Sequence, residues 1–245
     1  MLTEVQADHE REALGPATPA ARPEGYQQGA YLADADVEVD SLGGPVPPPP
    51  PPARRGPASF GDAARPAADV GEARWVTGGQ SDHWGVGQFV PAGFEACLFV
   101  DDVPGDQDEW WELEKAHTVT IADIGTRHTT TPDHFYFAIW DGHGYPNDGL
   151  EHIPTFASAG CHRDYYLLEG PLSALPELIW SNDEVRVWRQ PDLWWPADRA
   201  WIVCTDVDIW CNYVAGTQAL LDEVAAAVTT ETHLVARTDD LERVD

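Results

Sequence analysis

Apolar positions in this chain cluster in short aromatic and β-branched stretches separated by Gly, Pro, Asp and Asn. Residues 94–100 (FEACLFV), 135–140 (FYFAIW), 165–168 (YYLL) and 200–210 (AWIVCTDVDIW) have the composition and length of β-strands bounded by turns. Helical spacing follows the last of them. Thr217 can cap a helix in which Leu220, Leu221, Val224, Ala225 and Val228 share one side. A shorter helix is expected to open at Pro171, with Leu172, Leu175 and Leu178 on one face, and residues 232–238 to add an edge strand. Strands and helices do not alternate regularly, so the expected class is α+β, with a mainly antiparallel sheet and a few packed helices.

The pattern breaks near position 73. Twelve of the 21 prolines and none of the 11 tryptophans precede Arg74. A segment so poor in large apolar residues cannot bury enough surface to offset the entropy of ordering it. Residues 1–73 are therefore expected to be a disordered, acidic, proline-rich arm, and residues 74–245 a single domain. Within the arm the run Pro47 to Pro52 favours polyproline II, and Arg54-Arg55 follows it as in ligands of proline-binding modules. A semi-rigid spacer is the simpler reading.

Charge narrows the partners. Asp and Glu total 42 against 14 Lys and Arg, a formal net charge of -28. Such a field repels phosphate, so neither nucleic acid nor an anionic membrane is an expected partner; a basic protein or a cation suits it better. The four cysteines show no Cys-x-x-Cys spacing, residues 1–14 lack a charged-then-apolar leader, and no apolar run reaches about 18 residues, so a reducing cytoplasm is the expected setting.

Four places carry candidate chemistry. Trp140-Asp141-Gly142-His143 ends an aromatic strand and sets an acid and an imidazole in one loop. Asp206 and Asp208 alternate with Cys204 and would share one face of the strand 200–210. With His143 and Asp141 they form the one acid and imidazole set that can be placed at strand ends or on a strand face, a candidate site for a divalent metal, although no His-Glu-x-x-His spacing supports it. Third, the block Pro191-Asp192-Leu193-Trp194-Trp195-Pro196-Ala197-Asp198-Arg199-Ala200-Trp201 implies a tightly specified substructure. Within it, Asp198 and Arg199 beside Trp194 and Trp195 read as a buried ion pair under stacked rings, or as a slot in which Arg199 engages an anion. Last, His128, His134, His143, His152 and His162 crowd into 35 residues without metal-ligand spacing.

The PDLWWPADRAW block, the FYFAIWDGHG and YYLLEGPL segments and the TDVD run resemble a family of actinobacterial proteins to which no activity attaches. The resemblance covers about residues 84–228 and implies no catalytic residue. In size, acidity and aromatic content the chain is also distantly similar to immunity domains of the SUKH type, which implies a binding role. Three functions are therefore expected in descending order. The first is a non-enzymatic acidic protein-binding domain, with an immunity-type inhibitor as one form. The second is a metal-dependent hydrolase built on the His/Asp set, and the third a structural adaptor acting through the proline-rich arm.

Overall fold

The computed structural model describes residues 60, 62–102, 110–143, 149–181, 186–188, 190–209 and 211–241. The polyproline run, Arg54-Arg55 and the rest of the arm up to residue 59 lie outside the described residues.

The elements are β1 (Arg65–Pro66), α1 (Arg74–Gly79), β2 (Ala96–Asp101), α2 (Trp110–Gly125), β3 (Phe135–Trp140), β4 (Thr155–Ala157), β5 (Asp164–Gly170), β6 (Ile179–Ser181), β7 (Arg186–Trp188), β8 (Leu193–Pro196), β9 (Ile202–Cys204), β10 (Cys211–Gly216), α3 (Gln218–Ala227) and β11 (Thr232–Val235). Nine strands form one antiparallel sheet in the order β1-β5-β3-β8-β9-β10-β2-β11, with β4 on the same side of β5 as β1. Strands β6 and β7 pair separately. The α+β class and the mainly antiparallel sheet are as expected.

Both faces of the sheet are covered, and this explains why the strands read as continuous apolar runs rather than alternating ones. Phe135, Phe137, Trp194 and Val203 face a layer containing Ile121 of α2, Leu220 and Val224 of α3, and Leu175 of a 3-10 helix over Leu172–Glu177. Tyr136, Trp195, Ile202 and Tyr213 face the other way, against Val76, Val86 and Phe89. Helix α3 starts where its pattern indicates, with Thr217 accepting the Leu220 N–H at 3.3 Å.

Several expectations are corrected. The packed unit begins before Arg74. Phe60 is buried with its ring 5.9 Å from Tyr166, β1 pairs with β5, and the Ala67 N–H donates to Leu167 O at 3.0 Å. Small residues dominate 60–73, so the seam is invisible to a count of large apolar side chains. The segment at Pro171 is a 3-10 helix rather than an α-helix, though Leu172, Leu175 and Leu178 are all buried. The stretch 200–210 is not one strand: β9 stops at Cys204, the chain turns, and β10 returns beside it with Tyr213 opposite Cys204. Helix α2 has no clear signal in the sequence, because Thr118, Val119, Thr120 and Ile121 are poor helix formers; its packing of Ile121, Ala122 and Ile124 overrides that preference. No helix among the described residues is long and apolar enough to cross a membrane.

Candidate functional site

Antiparallel pairing in the order β5-β3-β8-β9 brings the end of β3, the starts of β5 and β8 and the end of β9 to one end of the sheet. Polar side chains collect there. Asp192, immediately before β8, is 3 % exposed; its Oδ2 accepts the Trp140 backbone N–H at 2.7 Å and lies 3.3 Å from His143 Nε2, while its carbonyl accepts the Thr205 N–H at 2.7 Å. One residue thus ties the ends of three neighbouring strands together.

Arg163, just before β5, makes the second tie. Its guanidinium donates at 2.6 Å to Asp206 Oδ1 and at 2.6 Å to Asp208 Oδ2, and stands 4.1 Å over the Trp140 ring. A planar cation that can fork between carboxylates and stack on an indole suits this position better than an ammonium. The Trp140 ring folds back over Gly142 so closely that a Cβ there would overlap it. His143 meets the same ring edge-on at 5.3 Å.

Asp206 and Asp208 do not share a strand face; they lie in the turn after β9, where the Asp208 N–H donates to Asp206 Oδ1 at 2.9 Å. Arg163 brings them together instead. Asp206 is 4 % exposed and its Oδ2 is a buried atom without a hydrogen-bond partner. Burial pushes its carboxyl up to about 6, against the pull of the Asp208 N–H and Arg163, and Asp192 and Asp208 add to the rise. The two sides of the pair move in the same direction. Burial opposes the charge on Arg163, but Asp206 and Asp208 outweigh it and raise its pKa. The Asp141 N–H donates to Asp164 O at 3.0 Å; partial burial, then Asp164, raises its carboxyl, against the pull of its own backbone hydrogen bond and of His143.

The tryptophans of the block are core. Trp194 and Trp195 are fully buried on opposite faces of the sheet, and Trp201, 1 % exposed, donates its indole N–H to Gly125 O at 3.0 Å. Asp198 and Arg199 form no buried pair, because both are exposed and bonded elsewhere. Asp198 accepts from the Thr129 hydroxyl (2.8 Å), the Thr130 N–H (2.6 Å) and hydroxyl (2.7 Å) and the Ala200 N–H (3.1 Å); although burial opposes it, these donors hold its carboxyl below the usual range. Arg199 takes φ +59, reaches Glu72 at 3.1 Å and lies 5.7 Å over the Trp75 ring, which in turn meets Trp195 edge-on. Asp198 thus braces the block to Thr129 and Thr130, and Arg199 braces it to Glu72 and Trp75.

At the opposite end of the sheet lies an open cleft of about 460 Å³ beside Asp62, Asp133 and His134. Its buried carboxylate, Glu169, bonds Arg65 at 2.9 Å and lies 3.5 Å from His134. Among the described residues no group of three His, Cys, Asp or Glu side chains could hold a metal ion. His143 is engaged with Asp192, and Asp206 and Asp208 with Arg163, so the proposed metal set of His143, Asp141, Asp206 and Asp208 is divided between partners. Neither Cys97 nor Cys204 is an activated nucleophile: burial raises Cys97 to about 12 and Cys204 well above its ordinary value. Cys161 is half-buried, with its sulfur 3.1 Å from the Tyr165 hydroxyl and 3.2 Å from Ser158 Oγ.

Asp192 and Arg163, the two residues that organise this end, were missed as site candidates. Asp192 had a signal, as a lone acid heading a run of buried residues. Arg163 had none, since its partners lie 43 and 45 residues away. Comparison with known proteins finds no matching family, no matching curated protein and no matching solved structure.

Proposed function

We propose that this chain is a non-enzymatic acidic domain that binds a protein partner carrying excess positive charge. The supporting observation is how its few cations are used. Arg65 bonds Glu169, Arg127 bonds Glu223, Arg163 bonds Asp206 and Asp208, Arg199 bonds Glu72, and Arg237 donates to the carbonyls of Gly79 and Val90. With 14 bases for 42 acids, carboxylates remain in excess, and among the described residues Asp82, Asp239 and Asp240 are examples that face solvent. That surplus attracts cationic surfaces over about a Debye length and speeds encounter with them. An immunity-type inhibitor, which covers a basic site on another protein, is one form of such a domain.

The test is capture on the immobilised full chain from a lysate of its source, eluted with a salt gradient. A stoichiometric basic partner released between roughly 0.1 and 0.5 M salt is expected, since screening shortens the reach of the field about twofold over that range. Recovery of no salt-sensitive partner overturns the reading.

A further inference from the structure

Trp84 is 65 % exposed, more than any other large apolar side chain described. The loop that carries it is well anchored. The Ser81 N–H donates to Gly87 O (2.7 Å), the His83 N–H to Ser81 Oγ (3.1 Å), the Val86 N–H to Asp239 O (3.0 Å) and the Gly87 N–H to Arg237 O (2.8 Å). Gln88 reaches Gly160 O at 2.8 Å. Gly85, next to the tryptophan, has φ +145, and a Cβ there would lie 2.6 Å from Asp239 O. The backbone is pressed against the turn at residues 236–239 and directs Trp84 into solvent.

We propose that Trp84 is the docking anchor for an arginine- or lysine-rich segment of a basic protein. This rests on the basic-partner reading and places it on one surface. A large ring on a loop already held in place loses little entropy on binding, and tryptophan is the residue most enriched at interface hot spots. Charge selects the occupant. Asp82 is almost fully exposed, and Asp239 and Asp240 are exposed on the turn to which the loop is bonded. Arg237, the cation of that turn, points inward, donating to Val90 O at 2.8 Å and Gly79 O at 2.6 Å. An indole face is the strongest aromatic site for a guanidinium or ammonium, and exposed carboxylates on the same loop and on the turn bonded to it favour the same ion.

The experiment titrates fluorescein-labelled nona-arginine into the full chain and reads anisotropy at about 50 mM and about 500 mM salt. Binding that weakens with salt, and weakens about tenfold further in Trp84→Ala, supports the proposal. Asp82→Asn with Asp240→Asn should weaken it again, whereas Asp123→Asn with Asp222→Asn, remote in sequence and on α2 and α3, should change it little. Failure of the peptide to bind at all overturns the basic-partner reading itself. Binding that Trp84→Ala leaves unchanged keeps that reading and overturns this surface. Should Arg54→Glu with Arg55→Glu tighten the peptide several-fold only while Trp84 is present, the occupant is the chain's own arm, and the external partner is overturned.

Discussion

The block around Trp194, Trp195 and Trp201 and the loop around Trp84 use the same side chain for opposite ends. In the block, alternation along β8 sends Trp194 to the helix-covered face and Trp195 to the other, so each loses all contact with water. In the loop, Gly85 and the bonds to the turn at residues 236–239 hold the backbone down and leave the ring outside. The difference teaches that a tryptophan's role is set by what lies over its backbone, not by its hydrophobicity. A strand covered on both sides must bury its rings, whereas a loop capped from below exposes them.

The largest effect expected is on the buried side. Trp194→Ala or Trp195→Ala should lower stability by about 3–5 kcal/mol, a large share of a domain's total, read as a shift in the denaturant midpoint. A small shift for both would break the contrast between block and loop.

Asp206 adds a pH test of the buried network. Its folded carboxyl, at about 6, lies above the ordinary value of 3.8, so between those values the folded chain binds more protons than the unfolded one. The stability this contributes is present in full below about pH 4 and is lost as pH rises through about 6, a change on the order of 3 kcal/mol for two pKa units. Wild type should therefore lose stability relative to Asp206→Asn as the pH rises from about 4 to 7. Parallel melting curves across that range would show that Asp206 is not desolvated.

Gly142→Ala should cost about 1–3 kcal/mol, because the new methyl displaces the Trp140 ring and with it the surface on which Arg163 stacks. A loss of near-ultraviolet circular dichroism at unchanged secondary structure would report it; an unaltered spectrum would mean the ring moves freely. The smallest effect belongs to Trp84→Ala, within about 0.5 kcal/mol of wild type, as for an exposed side chain that packs little. A cost above 1 kcal/mol would place Trp84 with the block rather than opposite it.

The readable parts of the fold are those where a local pattern reports a local environment. The aromatic runs of β3 and β5, the strand within 94–100 and the capped face of α3 were visible because composition and period over a few residues decide them. That the block tryptophans would lie largely in a core was visible for the same reason, since such area in one short run needs one; the structure buries all three. Of the site, Trp140 and His143 were legible as amphipathic and polar groups at a strand end, whereas Asp206 was legible as an acid but belongs to a turn rather than to a strand face. Their partners were not.

What only the tertiary structure decided is pairing between distant positions. Asp192 meets His143 across 49 residues and Arg163 meets Asp206 across 43, because strand order and register put four chain segments at one end of the sheet. Asp198 and Arg199 are neighbours in sequence yet bond to Thr130 and Glu72, since Arg199's left-handed backbone turns it away. Phe60 and β1 join the sheet through backbone hydrogen bonds and one ring, features that leave almost no mark on composition. Sequence by itself determined the acidity, the class and the hydrophobic rings; which charges are consumed inside, and which ring is left for a partner, follow from long-range geometry that no short window of residues encodes.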